Sequence, residues 1–181
     1  MADEVDEIVA AWRRERPDLD VEPLQILSRI SRLAAVLDVR RADAFVGHGL
    51  QGHEFDVLSV LRRDGEPFER TAGELAALTH VTSGTMTSRL DRLVARGFVT
   101  RRPDPADGRI VRVRLTETGR QRVDAAFVAL LRTEQQLLAT LDDGRGAELA
   151  DALRSLLQAA KQSNQSISAD TAPYGVTQRG G

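Results

Sequence analysis

The sequence predicts a mainly α-helical fold of the α+β class, in which a lobe of short capped helices and a basic β-hairpin is carried between long amphipathic helices. Three observations predict it. Between Thr71 and Gly97, two capped segments of helical periodicity are separated by only three residues. From Phe98 to Leu115 the period falls to two, around a middle rich in Pro, Asp and Gly. On either side, apolar residues recur every third or fourth position over stretches too long for so small a lobe to cover.

Taken in order, Asp3 to about Arg14 has Val5, Ile8, Val9 and Trp12 at helical spacing, and Pro17 ends it. A longer helix is predicted from an Asp20 cap to Val46, with Leu24, Leu27, Ile30, Leu33, Ala34, Leu37 and Phe45 as its stripe and Pro23 in its first turn. Residues 47–52 read as loop. The next helix, His53 to about Arg63, is apolar round most of its circumference and belongs at the centre of the lobe. Asp56 therefore needs a partner or a boundary position, since a lone buried carboxylate is costly.

Thr71 and Glu74 form a capping box that starts a short helix carrying Leu75 and Leu78. Thr79, His80 and Val81 make the turn, and Thr82 or Ser83 caps a second helix with Met86, Leu90, Leu93 and Val94 as its apolar positions. Gly97 ends it, with Phe98 folding back on Leu93 as in a Schellman motif. Two capped helices joined so tightly are a helix-turn-helix. On the second, Thr85, Ser88 and Arg92 lie opposite the apolar stripe, and small hydroxyls with an Arg suit a DNA major groove as well as they suit plain solvent.

The hairpin favours DNA. Strands are predicted over Phe98 to Arg102 and Ile110 to Leu115, with Val111, Val113 and Leu115 on one face and Arg112 and Arg114 on the other. Residues 103–108 are the tip, and Arg109 beside it is placed to reach a minor groove. After it, Thr116 caps a long helix with Val123, Phe127, Leu130, Leu131, Leu137, Leu138 and Leu141. A break at 142–146 follows, then a last helix with Leu149, Leu153, Leu156, Leu157 and Ala160. Long helices at both ends cannot bury their stripes within one subunit; a twofold mate would cover them and set two recognition helices about 34 Å apart on a pseudo-palindromic operator.

The stretch from about residue 50 to residue 120 resembles the winged helix-turn-helix of the MarR family of bacterial transcription regulators, most closely in SGTMTSRLDRLVARGFVTRRPDPADGR and VRLTETG. The resemblance implies a ligand-responsive, homodimeric DNA-binding regulator of the repressor type. Its organisation would be one domain over 1–162, with dimerisation helices at 1–47 and 116–162 and the DNA-binding lobe at 53–115. DNA contacts are expected from Thr82, Ser83, Thr85, Ser88, Arg92 and Arg109. The family's wing usually reads Asp-Arg-Arg, whereas this chain has Asp107, Gly108 and Arg109, so one wing arginine is missing. The extra N-terminal helix and WRRERPDLD look like the urate-responsive branch. That likeness implies a ligand pocket of Trp12, Asp56, Arg89 and Arg101, filled by urate or another small planar or carboxylic acid.

Composition bounds the rest. The net charge is −2, yet the span from Thr82 to Arg122 holds ten arginines against four carboxylates, a local +6 that leaves −8 elsewhere. A basic lobe on an acidic body fits local phosphate binding. The absence of cysteine excludes disulfides and a thiol switch. No apolar run approaches a membrane span, and the acidic start MADEVDEIVA does not look like a signal peptide, so a cytoplasmic protein is expected. His48, His53 and His80 form no metal set and read as solvated or capping residues; no cofactor or catalytic motif is present, so an enzyme is not expected. Residues 163–181, polar and rich in breakers, read as a disordered tail. Two further readings stay open: a constitutive winged-helix DNA binder in which Trp12, Asp56, Arg89 and Arg101 only support packing, and a small-molecule-binding dimer that has lost DNA binding.

Overall fold

A computed structural model describes residues 2–170, the side chains of 164–170 excepted. Residues 2–134 form one compact unit. It opens with α1 (Glu4–Glu15), whose first turn is closed by Asp3 accepting from the Val5 and Asp6 amides at 2.9 and 3.1 Å. This helix packs on the start of α2 (Pro23–Val46), burying Val5 and Val9. A ladder of ion pairs fixes its direction: Asp3 and Asp6 with Arg29, Glu4 with Arg32, and Arg13 with Glu22. Thus α1 runs antiparallel to α2, its last turn beside the α2 N-terminus. The expected Asp20 cap is displaced: Asp20 accepts from the Glu22 amide in the preceding turn, and α2 starts at Pro23 without a side-chain cap.

Along α2 only Phe45 is buried. Its ring stacks on Phe55 with centroids 4.1 Å apart, joining the C-terminal end of α2 to α3 (Gly52–Arg63), which begins one residue earlier than predicted. Phe55, Val57, Leu58, Val60 and Leu61 of α3 are buried at the centre of the lobe, as their crowding round the helix requires.

The lobe continues through β1 (Glu69–Thr71), α4 (Ala72–Leu78), α5 (Ser83–Ala95), β2 (Val99–Pro103) and β3 (Val111–Leu115). The sheet order is β1-β3-β2, all antiparallel. The third strand, β1, was not predicted: Glu69, Arg70 and Thr71 carry no apolar alternation, and only their pairing with Arg112 to Arg114 makes them a strand. Thr71 and Glu74 form the capping box, and Thr82 caps α5. The Schellman ending holds, with the Phe98 amide donating to the Leu93 carbonyl at 2.9 Å and Gly97 at φ 69°. Met86, Leu90 and Leu93 are buried, whereas Leu78 and Val94 lie exposed at the edges of their stripes.

Thr116 starts α6 (Glu117–Leu138) by accepting from the Gly119 amide at 3.0 Å. Gly119 has no substitute here, because a Cβ would overlap the Phe98 carbonyl. Val123, Ala126 and Leu130 of α6 close the lobe core, while Phe127, Val128 and Leu131 point outward. Residues from 135 onward form a second unit, chiefly α7 (Arg145–Asp170). Helix α7 passes through 163–170, where a disordered tail was expected; the rest of that expectation, 171–181, lies outside the described residues.

Candidate functional site

The exposed side of α5 is the first candidate. Thr82, Ser83, Thr85, Ser88 and Arg92 are all exposed. Thr82 and Thr85 touch through their hydroxyls at 3.0 Å, while the side chains of Ser88 and Arg92 make no polar contact among the described residues. With Met86, Leu90 and Leu93 held in the core, the opposite face is compelled outward.

The wing is a built structure. Asp104, only 8% exposed, accepts from the Ala106 and Asp107 amides at 2.7 and 3.3 Å and pairs with Arg112. The Ala106 amide, then the Arg112 guanidinium, hold its carboxyl below the usual range. Glu69 takes Arg102 at 2.9 Å and Arg112 at 3.5 Å, so these two arginines bind the three strands together. Arg112 and Arg114 share the face expected of them, but Arg112 is paired within the sheet while Arg114 is exposed. Asp107 accepts from the Arg109 amide at 3.0 Å, and the Arg109 guanidinium is left exposed and unpaired at the tip. Gly108 has a backbone that any residue adopts and open space where a side chain would go. Of the ten arginines between Thr82 and Arg122, Arg89, Arg92, Arg109 and Arg114 have no ion pair or side-chain hydrogen bond among the described residues; Arg92, Arg109 and Arg114 are exposed, and Arg89 is half-buried.

The second candidate is the cluster expected to hold a ligand, and the structure brings only part of it together. Asp56 is exposed, and its carboxylate accepts no hydrogen bond among the described residues. Desolvation by its surroundings nevertheless raises its pKa above the ordinary 3.8, against the downward pull of Arg89, His53 and Arg41. Arg89 thus lies within electrostatic reach of Asp56 without closing an ion pair. Arg41 is itself engaged by Glu134 of α6 at 2.6 Å.

Arg101 lies elsewhere. From β2 it donates to the Thr87 carbonyl at 2.9 Å and to Asp91 at 2.6 Å, on the side of α5 about half a turn of the wheel from Arg89. Its Nε is buried with no acceptor among the described residues. Trp12, 50% exposed, sits on the last turn of α1, beside Arg13, whose guanidinium meets Glu22 at the N-terminal end of α2.

Sequence reasoning missed three features. Glu54, 3% exposed, accepts from the Gln51 amide at 2.9 Å and from Arg96 at 2.6 Å, while Arg96 also donates to the Gly49 carbonyl and lies 4.6 Å above the Phe98 ring. Glu54 stands three residues after Gln51, a spacing that could have signalled the cap. Glu69 and Asp104 carried no signal of burial. A 450 Å³ pocket between α3 and α6 is lined by Phe55, Ser59, Arg62, Arg63, Val123, Asp124 and Phe127, and none of the four expected ligand residues lines it. No group of three His, Asp or Glu side chains among the described residues could hold a metal ion.

A helix-turn-helix with its outer face free, buttressed by a three-stranded wing whose tip presents an arginine, defines a winged-helix DNA-binding protein. The MarR family's sequence profile matches residues 48–110. The chain is 34% identical to the HTH-type transcriptional regulator PecS of Dickeya dadantii over 140 residues, which is 77% of this chain and 84% of PecS. It is 27% identical over 143 residues to the HTH-type transcriptional repressor NicR of Pseudomonas putida, covering 77% of this chain and 89% of NicR. A mutant MarR of E. coli in complex with operator DNA superposes with a TM-score of 0.64 at 27% identity, over 77% of this chain and 99% of that one. The chain belongs to the MarR family of DNA-binding transcription regulators. No described helix is long and apolar enough to cross a membrane.

Proposed function

We propose that this protein is a homodimeric, ligand-responsive repressor, working in the cytoplasm and released from a pseudo-palindromic operator by a small planar anion such as urate. The observation that carries the regulatory part is the open pair of Asp56 and Arg89. A cation on the inner flank of the recognition helix faces a carboxylate that it does not bind. An anion entering there would accept hydrogen bonds from Arg89 and be repelled by Asp56, pulling α5 away from α3. Because operator and ligand would favour different positions of α5, each would weaken the other's binding. Arg101 would contribute from the opposite flank by tethering α5 to the wing, and Trp12 would supply a flat apolar wall.

DNA recognition would fall to Ser88 and Arg92, with Thr82, Ser83 and Thr85 at the helix start and Arg109 in the minor groove. Dimerisation is supported by Ile26, Leu27, Leu33, Val36 and Val39 of α2 and Phe127, Val128 and Leu131 of α6, all exposed in the single chain. Repression is supported by the likeness to NicR, which is named a repressor.

The test is binding to the DNA flanking its own gene, with and without urate and related planar acids, for wild type and Arg89→Ala. Release of the wild type alone supports the sensor. Tight binding indifferent to every acid leaves a constitutive winged-helix binder, and failure to bind any duplex leaves a small-molecule-binding dimer.

A further inference from the structure

Two like charges are set against each other in the wing. Arg102 of β2 and Arg112 of β3 are direct cross-strand partners, an arrangement that by itself destabilises a strand pair. The buried carboxylate of Glu69 bridges them, accepting from Arg102 at 2.9 Å and from Arg112 at 3.5 Å. Asp104 completes the network, and its two oxygens have different partners. Oδ2 meets Arg112, while Oδ1 accepts from the Ala106 and Asp107 amides at 2.7 and 3.3 Å. The Asp104 amide in turn donates to the Ile110 carbonyl at 2.8 Å, and the Ile110 amide donates to the Asp107 carbonyl at 2.9 Å. These bonds close the tip upon the Asp104 carboxylate. Through Arg112 and Glu69 the tip is also fastened to β1, which runs directly into the Thr71 cap of α4.

Charge balance alone does not require this geometry. A carboxylate anywhere beside Arg112 would neutralise it, whereas only one whose other oxygen takes the two tip amides also fixes the turn. The residue that the turn carries outward is Arg109, whose amide is held by Asp107 at 3.0 Å and whose guanidinium has no partner among the described residues. On the reading of Arg109 as the minor-groove contact, on which this inference rests, we propose that Asp104 is a positioning residue for DNA binding. It does not meet the duplex; it holds the tip so that Arg109 is in place before the duplex arrives. Ordering the tip in advance removes a cost that a loose loop would meet on binding.

The sign of one substitution separates positioning from electrostatics. Asp104→Ala removes a negative charge and frees Arg112, so attraction to phosphate by itself predicts tighter binding. Loss of positioning predicts weaker binding in spite of the added charge, by about tenfold. Titration of the full chain with the duplex flanking its own gene, and with a mixed-sequence duplex, is expected to show the weakening. Asp104→Asn, whose amide oxygen can still accept from the Ala106 and Asp107 amides, should recover most of the affinity. Asp104→Glu keeps the charge beside Arg112 but moves the oxygen away from the tip amides; it should bind more weakly than wild type, and it carries the test if the alanine variant does not fold. In an Arg109→Ala background, Asp104→Ala should no longer weaken binding, because the residue it positions is gone. Tighter binding by Asp104→Ala, or equal weakening with and without Arg109, overturns the proposal.

A second measurement reads the tip without DNA. The chain has no cysteine, so a nitroxide on Gly108→Cys is uniquely placed, in open space beside Arg109. Its spectrum should sharpen when Asp104 is replaced by alanine and stay broad when it is replaced by asparagine. A spectrum indifferent to Asp104 overturns the proposal while leaving Arg109 as a DNA contact. If instead Arg109→Ala leaves affinity and salt slope intact, the reading of the wing fails and the proposal fails with it.

Discussion

The two flanks of the recognition helix are held in opposite ways. On the wing flank, Arg101 ties α5 to β2 through Asp91 and the Thr87 carbonyl, and at its C-terminus Arg96 ties it to the buried Glu54 and the Gly49 carbonyl. On the inner flank, Arg89 makes no hydrogen bond and faces the unbonded carboxylate of Asp56. Breaking the Arg96 bond to the buried Glu54 costs about 1.5–3 kcal/mol, whereas the Arg101 pair with the exposed Asp91 contributes about 0–1 kcal/mol. On the proposed effector reading, the inner flank is the one to move first and the Arg96 attachment the last to break. The helix is anchored at the wing and at its end, and free where a signal would enter.

The largest effect should come from breaking an anchor. Glu54→Ala removes a carboxylate that satisfies both the Gln51 amide and Arg96, and is expected to lower unfolding stability by about 2–3 kcal/mol, measured in urea. Arg89→Ala, by contrast, should leave stability within about 0.5 kcal/mol of wild type. Equal losses from the two substitutions would mean that the inner flank is as firmly bonded as the other.

Next in size are the groups proposed to face DNA. Arg92→Ala should weaken operator binding by about 1–3 kcal/mol if it reads a base, and by a sequence-independent amount if it meets only phosphate. Binding to a specific and a scrambled duplex separates the two. At the wing, Arg109→Ala should reduce the slope of log affinity against log salt by about 1. Gly108→Arg should raise it by a similar amount, since the backbone and the space at Gly108 admit a side chain. An unchanged slope in both variants would show that the tip does not reach the duplex.

The fold was legible because its determinants are local. The Thr71 and Glu74 box, the Thr82 cap and the Gly97 ending each act within a few residues and are present as read; of the alternating Val111, Val113 and Leu115, the last two are buried and Val111 is exposed at the strand's start. The strand β1 escaped because its stabilising partners, Arg112 to Arg114, stand more than forty residues away. The exposed face of α5 was legible for the same reason as the fold: burying Met86, Leu90 and Leu93 leaves Thr85, Ser88 and Arg92 no other direction. The +6 between Thr82 and Arg122 already counts Asp91 and Asp104; what the sequence did not show is which arginines they engage, or that Glu69 from outside that span takes Arg102 and Arg112, because only folding pairs them. For Asp56, the alternatives of partner and boundary were drawn from the helix wheel, and the wheel holds no information on how far Arg89 reaches.

The smallest effect is the sharpest test of the open pair, because its sign differs between two carboxylates on one helix. Burial pulls the Glu54 carboxyl upward, but the Gln51 amide and Arg96 together hold it below the ordinary 4.5. Its contribution to stability is therefore fully present above pH 4.5 and is lost as the pH falls through the lowered value. Desolvation holds Asp56 above the ordinary 3.8 in spite of Arg89. Ionising it then costs stability, a cost absent below pH 3.8 and complete above the raised value. Asp56→Asn removes the cost, so the variant should be more stable than wild type at neutral pH by less than about 1 kcal/mol, with the advantage shrinking as the pH approaches 3.8. Glu54→Gln should show the mirror profile, least stable relative to wild type at neutral pH and recovering in acid. Should Asp56→Asn instead destabilise the protein at neutral pH, Asp56 and Arg89 would form a closed ion pair, and an anion would have to break that pair before it could move the helix.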